Sequence, residues 1–112
     1  VEPELGQQGW RFADGGDPVT GATHLHEIYT AADPTYTGRA TVPVLYDKAT
    51  RTIVSNESAD ILRMLDSGFG ALASGPALYP DDLRAGIDAL NDRIYPRLNN
   101  GVYRAGFATT QG

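Results

Sequence analysis

Residues 41–65 read TVPVLYDKATRTIVSNESADILRML, and the fold follows from how this stretch changes period. Val42, Val44 and Tyr46 alternate with Pro43, Leu45 and Asp47, which is the two-residue repeat of a strand. Asp47-Lys48-Ala49-Thr50 carries turn residues, and Arg51–Val54 reads as a second short strand. Beyond Asn56-Glu57-Ser58 the apolar residues Ile61, Leu62, Leu65 and Phe69 fall at helical spacing. A hairpin feeding a helix is therefore predicted, with Asn56-Glu57-Ser58 in the helix's first turn.

Two points in this stretch carry chemistry. Pro43 has no N–H and is tolerated near the start of a strand only where no ladder bond is lost. Val42-Pro43 is a candidate cis bond, and Val42's own N–H and C=O are candidates to pair with an extended peptide. At the other end Ser55 is the predicted N-cap, which puts the amides of Glu57 and Ser58 in the first helical turn. Such amides seat a carboxylate, with a dipole contribution of roughly 0.3–1 kcal/mol and a serine hydroxyl beside them. The Glu57 carboxylate can hold an ammonium. A carboxylate seat, an ammonium partner and a free strand edge together describe a receptor for a short zwitterionic peptide.

Composition narrows the classes. The 112 residues allow one small domain or pieces of two. A net charge of −5 and no basic stripe argue against nucleic acid and anionic membrane surfaces. No run of eighteen apolar residues or signal peptide is visible, so a soluble, cytoplasmic protein is expected. Cysteine is absent, which removes disulfides, thiolate metal sites and a cysteine nucleophile from this chain. Beginning at Val1 and stopping at Gln111-Gly112, it reads as an internal piece of a longer protein.

Working outward, Val1–Leu5 reads as the tail of a strand ended by Pro3, and residues 6–21 as a polar, glycine-rich loop. Trp10, the single tryptophan, reads either as a plug at the edge of a core or as a wall for a ligand. Thr23–Ala32 is a predicted helix with Leu25, Ile28 and Tyr29 on one face and Thr23 as its cap. His24 and His26, two apart, diverge on a helix and do not make a metal pair. Arg39, delivered by a loop after Asp33-Pro34, is either a surface charge or a fork for a carboxylate. Ser67–Pro80 is rich in Gly, Ala and Pro and reads as a linker. Tyr79-Pro80-Asp81-Asp82 opens a longer helix through Leu83, Ile87, Leu90 and Ile94. Pro96 is expected to bend or end it, with Asn99-Asn100-Gly101 completing the stop. Tyr103 would then lie just past a broken helix, either packed or donating its hydroxyl to a substrate oxygen.

Several runs together resemble a known family. Gly9-Trp10-x-Phe12, Ala32-Asp33-Pro34, Tyr36-x-Gly38-Arg39-x-Thr41-Val42-Pro43-Val44-Leu45, Asn56-Glu57-Ser58 and Asn99-Asn100-Gly101-Val102-Tyr103-x-Ala105-Gly106-Phe107-Ala108 are similar to the glutathionyl-hydroquinone reductases, the Xi-class glutathione transferases. The resemblance runs from near Val1 to Gln111. It implies an α/β chain: the C-terminal half of a thioredoxin-like domain over residues 1–67, a linker over 68–80, and the start of an all-α substrate domain over 81–112. It implies glutathione as co-substrate, held by Trp10, Arg39, Val42, Glu57 and Ser58, with Tyr103 lining the pocket for aromatic glutathione conjugates. It also implies a homodimer.

The family's reaction is reduction of glutathionyl-hydroquinones through a cysteine–glutathione mixed disulfide. Its nucleophilic cysteine would lie upstream of Val1, so no catalytic residue and no metal are assigned here, and this chain alone is expected to be inactive. Two other readings stand beside this one. The first is a noncatalytic binding or scaffold protein on a glutathione-transferase-like fold. The second is another transferase class, conjugating electrophiles through serine or tyrosine.

Overall fold

A computed structural model describes residues 1–110 and divides into two units, Val1–Leu65 and the chain from Asp66 onward. Gln111 and Gly112, which the expected all-α segment includes, lie outside the described residues.

The first unit opens on a hairpin that the sequence reading assigned to strand tail and loop. Strands β1 (Leu5–Gly6) and β2 (Gly9–Trp10) are antiparallel, with Leu5 opposite Trp10. Gly9 makes the reversal at φ 83°, a conformation that side chains disfavour. The Glu2 N–H donates to the Arg11 carbonyl at 2.8 Å, and the Phe12 N–H to the Thr23 carbonyl at 2.9 Å, so the hairpin is tied to the start of the first helix.

Helix α1 (Leu25–Ala32) forms where the apolar stripe predicts it. Leu25, Ile28 and Tyr29 lie three and four residues apart and are 3%, 7% and 3% exposed. Trp10, Phe12, Val44, Tyr46 and Ile53 pack against these three, half-buried. A fully buried side chain of this size contributes about 1.5–3 kcal/mol, so this small cluster holds the unit together. The N-cap is His24 rather than Thr23. Thr23 stands one residue earlier, where its N–H and its hydroxyl each donate to Glu27 at 2.9 Å. These bonds, the backbone one first, hold the Glu27 carboxyl below its usual pKa.

Strands β3 (Leu45–Asp47) and β4 (Thr52–Ser55) form the predicted hairpin in shorter form. Leu45 faces Ser55, Tyr46 faces Ile53 and Asp47 faces Thr52, with a bulge between Leu45 and Tyr46. The ladder cannot reach back to Val42, because β4 is used up opposite Leu45. Asp47 builds the turn: its carboxylate accepts the Ala49 N–H at 2.8 Å and the Thr50 hydroxyl at 2.7 Å. The Thr50 hydroxyl bond is the largest of the causes that hold the Asp47 carboxyl below its ordinary pKa. Helix α2 (Ser58–Ser67) follows.

In the second unit the Asp66 carboxylate accepts the N–H groups of Leu78 and Tyr79 at 2.6 and 3.2 Å. The intervening chain includes a 3-10 turn at Gly70–Leu72. Pro80 and Leu83 close a further turn, and helix α3 (Arg84–Ile94) starts only after it. The Arg84 guanidinium lies 4.9 Å from the centre of the Tyr79 ring, and the Tyr79 hydroxyl donates to Asp88.

Pro96 does not end the helix. A π-helical turn at Tyr95–Asn99 joins α3 directly to helix α4 (Asn100–Gly106). The Asn100 N–H reaches the carbonyl of Tyr95, five residues back. This wider turn gives the proline ring room and absorbs the donor it lacks, which is how a helix passes a proline without stopping. Asn99 and Asn100 keep right-handed helical angles, and the helix ends at Phe107.

Candidate functional site

Around Val42 the main chain is open. The Val42-Pro43 bond is cis. Val42 is 44% exposed, and among the described residues its N–H and C=O have no hydrogen-bond partner. These groups lie outside the β3–β4 ladder, so an extended chain can pair with them.

The start of α2 differs from the prediction by two residues. The first intrahelical bond runs from the Ile61 N–H to the Glu57 carbonyl at 3.0 Å, which makes Glu57 the N-cap in place of Ser55. Ser55 instead uses its Oγ to accept the Glu57 N–H at 3.1 Å. The Glu57 amide is therefore already occupied, which leaves the Ser58 amide and hydroxyl at the start of α2. Neither Ser58 group has a partner among the described residues, and the Glu57 carboxylate likewise stands exposed and unpaired.

Between these two places lies Tyr29, on the buried face of α1. The buried Tyr29 hydroxyl donates to the Thr41 carbonyl at 2.7 Å and accepts from Asn56 Nδ2 at 3.2 Å, with the Thr41 N–H at 3.4 Å. Thr41 precedes Val42, and Asn56 precedes Glu57. A tyrosine in a buried helical stripe must find partners for its hydroxyl, and that requirement was the available signal.

Arg39 sits on an exposed loop, and no ion pair engages it among the described residues. The loop is held from both sides. Asp33 accepts the Thr35 N–H and hydroxyl at 2.8 and 2.7 Å, the hydroxyl bond being the main cause of its lowered pKa. The Tyr36 hydroxyl donates to the Arg39 carbonyl at 2.8 Å. A Cβ at Gly38 would come within 2.5 Å of the Tyr36 hydroxyl, so a side chain there would have to displace the Tyr36 ring.

Trp10 packs on the α1 cluster from β2, half-buried. Tyr103 belongs to the second unit, exposed on α4 rather than in a loop beyond a broken helix. Among the described residues no group of three or more His, Asp or Glu side chains is placed to hold a metal ion, and no helix is long and apolar enough to cross a membrane.

No family model matches the chain. It is 50% identical over 116 residues to glutathionyl-hydroquinone reductase PcpF of Sphingobium chlorophenolicum, an alignment covering 99% of this chain and 37% of that protein. The glutathione-bound structure of YqjG, a glutathione transferase homologue from Escherichia coli K-12, superposes with a TM-score of 0.91 at 49% identity, covering 99% of this chain and 38% of that one. Glutathione transferase Xi 1 from Trametes versicolor superposes with a TM-score of 0.89 at 43% identity, covering 99% and 42%. The chain thus spans little more than a third of the length of the curated relative. Within that span, its sequence and fold match those of a glutathionyl-hydroquinone reductase and of Xi-class glutathione transferases.

Proposed function

We propose that this chain is the glutathione seat of a glutathione-dependent reductase of glutathionyl-hydroquinones. The observation that carries the reading is the pairing of an unsatisfied Val42 main chain with an open Ser58 amide and hydroxyl. The first suits the peptide backbone of the tripeptide, and the second suits a carboxylate. Glu57 takes the ammonium, Arg39 takes the other carboxylate, and Trp10 lies against the peptide. Tyr103 is assigned to the aromatic part of the substrate. The relative at 50% identity is a glutathionyl-hydroquinone reductase, which supports the reading.

The reaction needs a thiolate, and this chain has no cysteine. In the proposed cycle a cysteine elsewhere in the longer protein attacks the sulfur of the conjugate. The S–C bond breaks, the aromatic carbon takes a proton and leaves as hydroquinone, and a cysteine–glutathione disulfide remains. A second glutathione thiolate attacks the glutathione sulfur of that disulfide, forming glutathione disulfide and releasing the cysteine as its thiolate. The test is to supply a glutathionyl-hydroquinone and glutathione to the protein that carries this segment and, separately, to the 112-residue chain. One hydroquinone and one glutathione disulfide per turnover are expected from the first and no turnover from the second. Failure of the first overturns the assignment, and turnover by the second overturns the division of labour.

A further inference from the structure

We propose that Tyr29 is a positioning residue for the peptide seat, its hydroxyl fixing the Val42 main chain and the start of α2 relative to one another; this rests on the reading of the seat given above. A phenol has one donor and two acceptor positions. Tyr29 uses its donor on the Thr41 carbonyl and its acceptors on Asn56 Nδ2 and the Thr41 N–H. These partners lie 12 and 27 residues away in sequence, and each is the residue immediately before a proposed ligand contact.

What makes this more than a satisfied buried hydroxyl is the lack of any other direct tie. The β3–β4 ladder ends with Leu45 opposite Ser55. Among the described residues no hydrogen bond joins residues 41–44 to residues 56–58. The two halves of the seat leave the hairpin on opposite strands, and the Tyr29 oxygen is where they are referred to one another. The ring itself is fixed, 3% exposed and 4.9 Å from the Tyr36 ring centroid to centroid.

The test uses the protein that carries this segment. Tyr29→Phe keeps the buried ring and removes only the oxygen. Glutathione affinity, read by calorimetry, is expected to fall about tenfold, as for the loss of a well-made positioning bond. The amide resonances of both Val42 and Ser58 should shift before any ligand is added. A purely structural tyrosine would lower the unfolding midpoint and leave the affinity of the folded variant unchanged, which would overturn the proposal. Should Tyr29→Phe not fold, Asn56→Ala removes only the donor on the α2 side and is expected to show the same loss. Tyr79→Phe removes a hydroxyl that donates to Asp88 in the second unit and is expected to leave affinity as it was. Absence of glutathione binding by the unaltered protein would refute the seat itself, a failure told apart from this one because the Tyr29 hydroxyl is then still in place.

Discussion

Ser58→Pro, compared with Ser58→Ala, isolates the contribution of a single main-chain N–H. Ser58 is the first residue of α2, and its amide has no acceptor four residues back within the helix. Proline at this position therefore forfeits no intrahelical bond, and its fixed φ suits the first helical turn. The extended backbone usual for an N-cap, here Glu57, is also what the residue before a proline prefers. Stability is accordingly expected to change by less than about 0.5 kcal/mol. An amide bonded to a carboxylate contributes about 1.5–3 kcal/mol, which converts to a roughly 10–150-fold loss of affinity. Because Ser58→Pro also deletes the hydroxyl, the reference is Ser58→Ala, and the amide is read from the difference between the two variants. Calorimetric titration of glutathione into the protein carrying this segment gives the affinities, and thermal unfolding followed by circular dichroism gives the stabilities. If Ser58→Pro folds normally and binds glutathione as tightly as Ser58→Ala, the amide is not the carboxylate seat.

Pro96→Ala restores an N–H within the wide turn and gives the Asp92 carbonyl a helical partner, so the helix should be stabilised by up to about 3 kcal/mol; an unfolding midpoint that stays put or falls would contradict this. If the wide turn contracts to α spacing, Tyr103 rotates by about 100° relative to α3, and the Asn100 amide loses the Tyr95 carbonyl it now bonds, a change visible in amide spectra. The Asp47 turn gives a pH signature. Its folded pKa lies below the ordinary aspartate value, through the Thr50 hydroxyl first and then the Ala49 N–H. Its contribution is thus complete above the unfolded value of about 3.9 and is lost as pH falls through the lower folded value. Asp47→Asn should flatten that part of the stability profile between pH 5 and 2, on the order of the range acid unfolding covers. An unchanged profile would show that the turn bonds do not depend on charge.

Periodicity carried much of the first unit. Leu25, Ile28 and Tyr29 announced a buried helical face, and they are the buried hydrophobic residues of the core. The hairpin and α2 were legible because their repeat changes from two to about four residues within one stretch. The misses have local causes. Ser55 and Glu57 both have a side chain or carbonyl able to open a helix, and only the register of the Ile61 amide decides between them. Pro96 was read by its local penalty, while a π turn redistributes that penalty over five residues. The β1–β2 hairpin has two residues per strand, too few to show alternation. The paired role of Tyr29 depends on residues 12 and 27 positions away, and no window along the chain contains all three.

The Asp66 carboxylate has a consequence for how this protein can vary. By gripping the amides of Leu78 and Tyr79 it works as a clasp, and the stretch it closes can change length without moving its ends. The closure entropy of such a loop grows only with the logarithm of its size, so doubling it costs about 0.6 kcal/mol. Insertions between Ser67 and Ala77 should therefore be tolerated, whereas Asp66→Ala would open the clasp and let the approach to α3 wander.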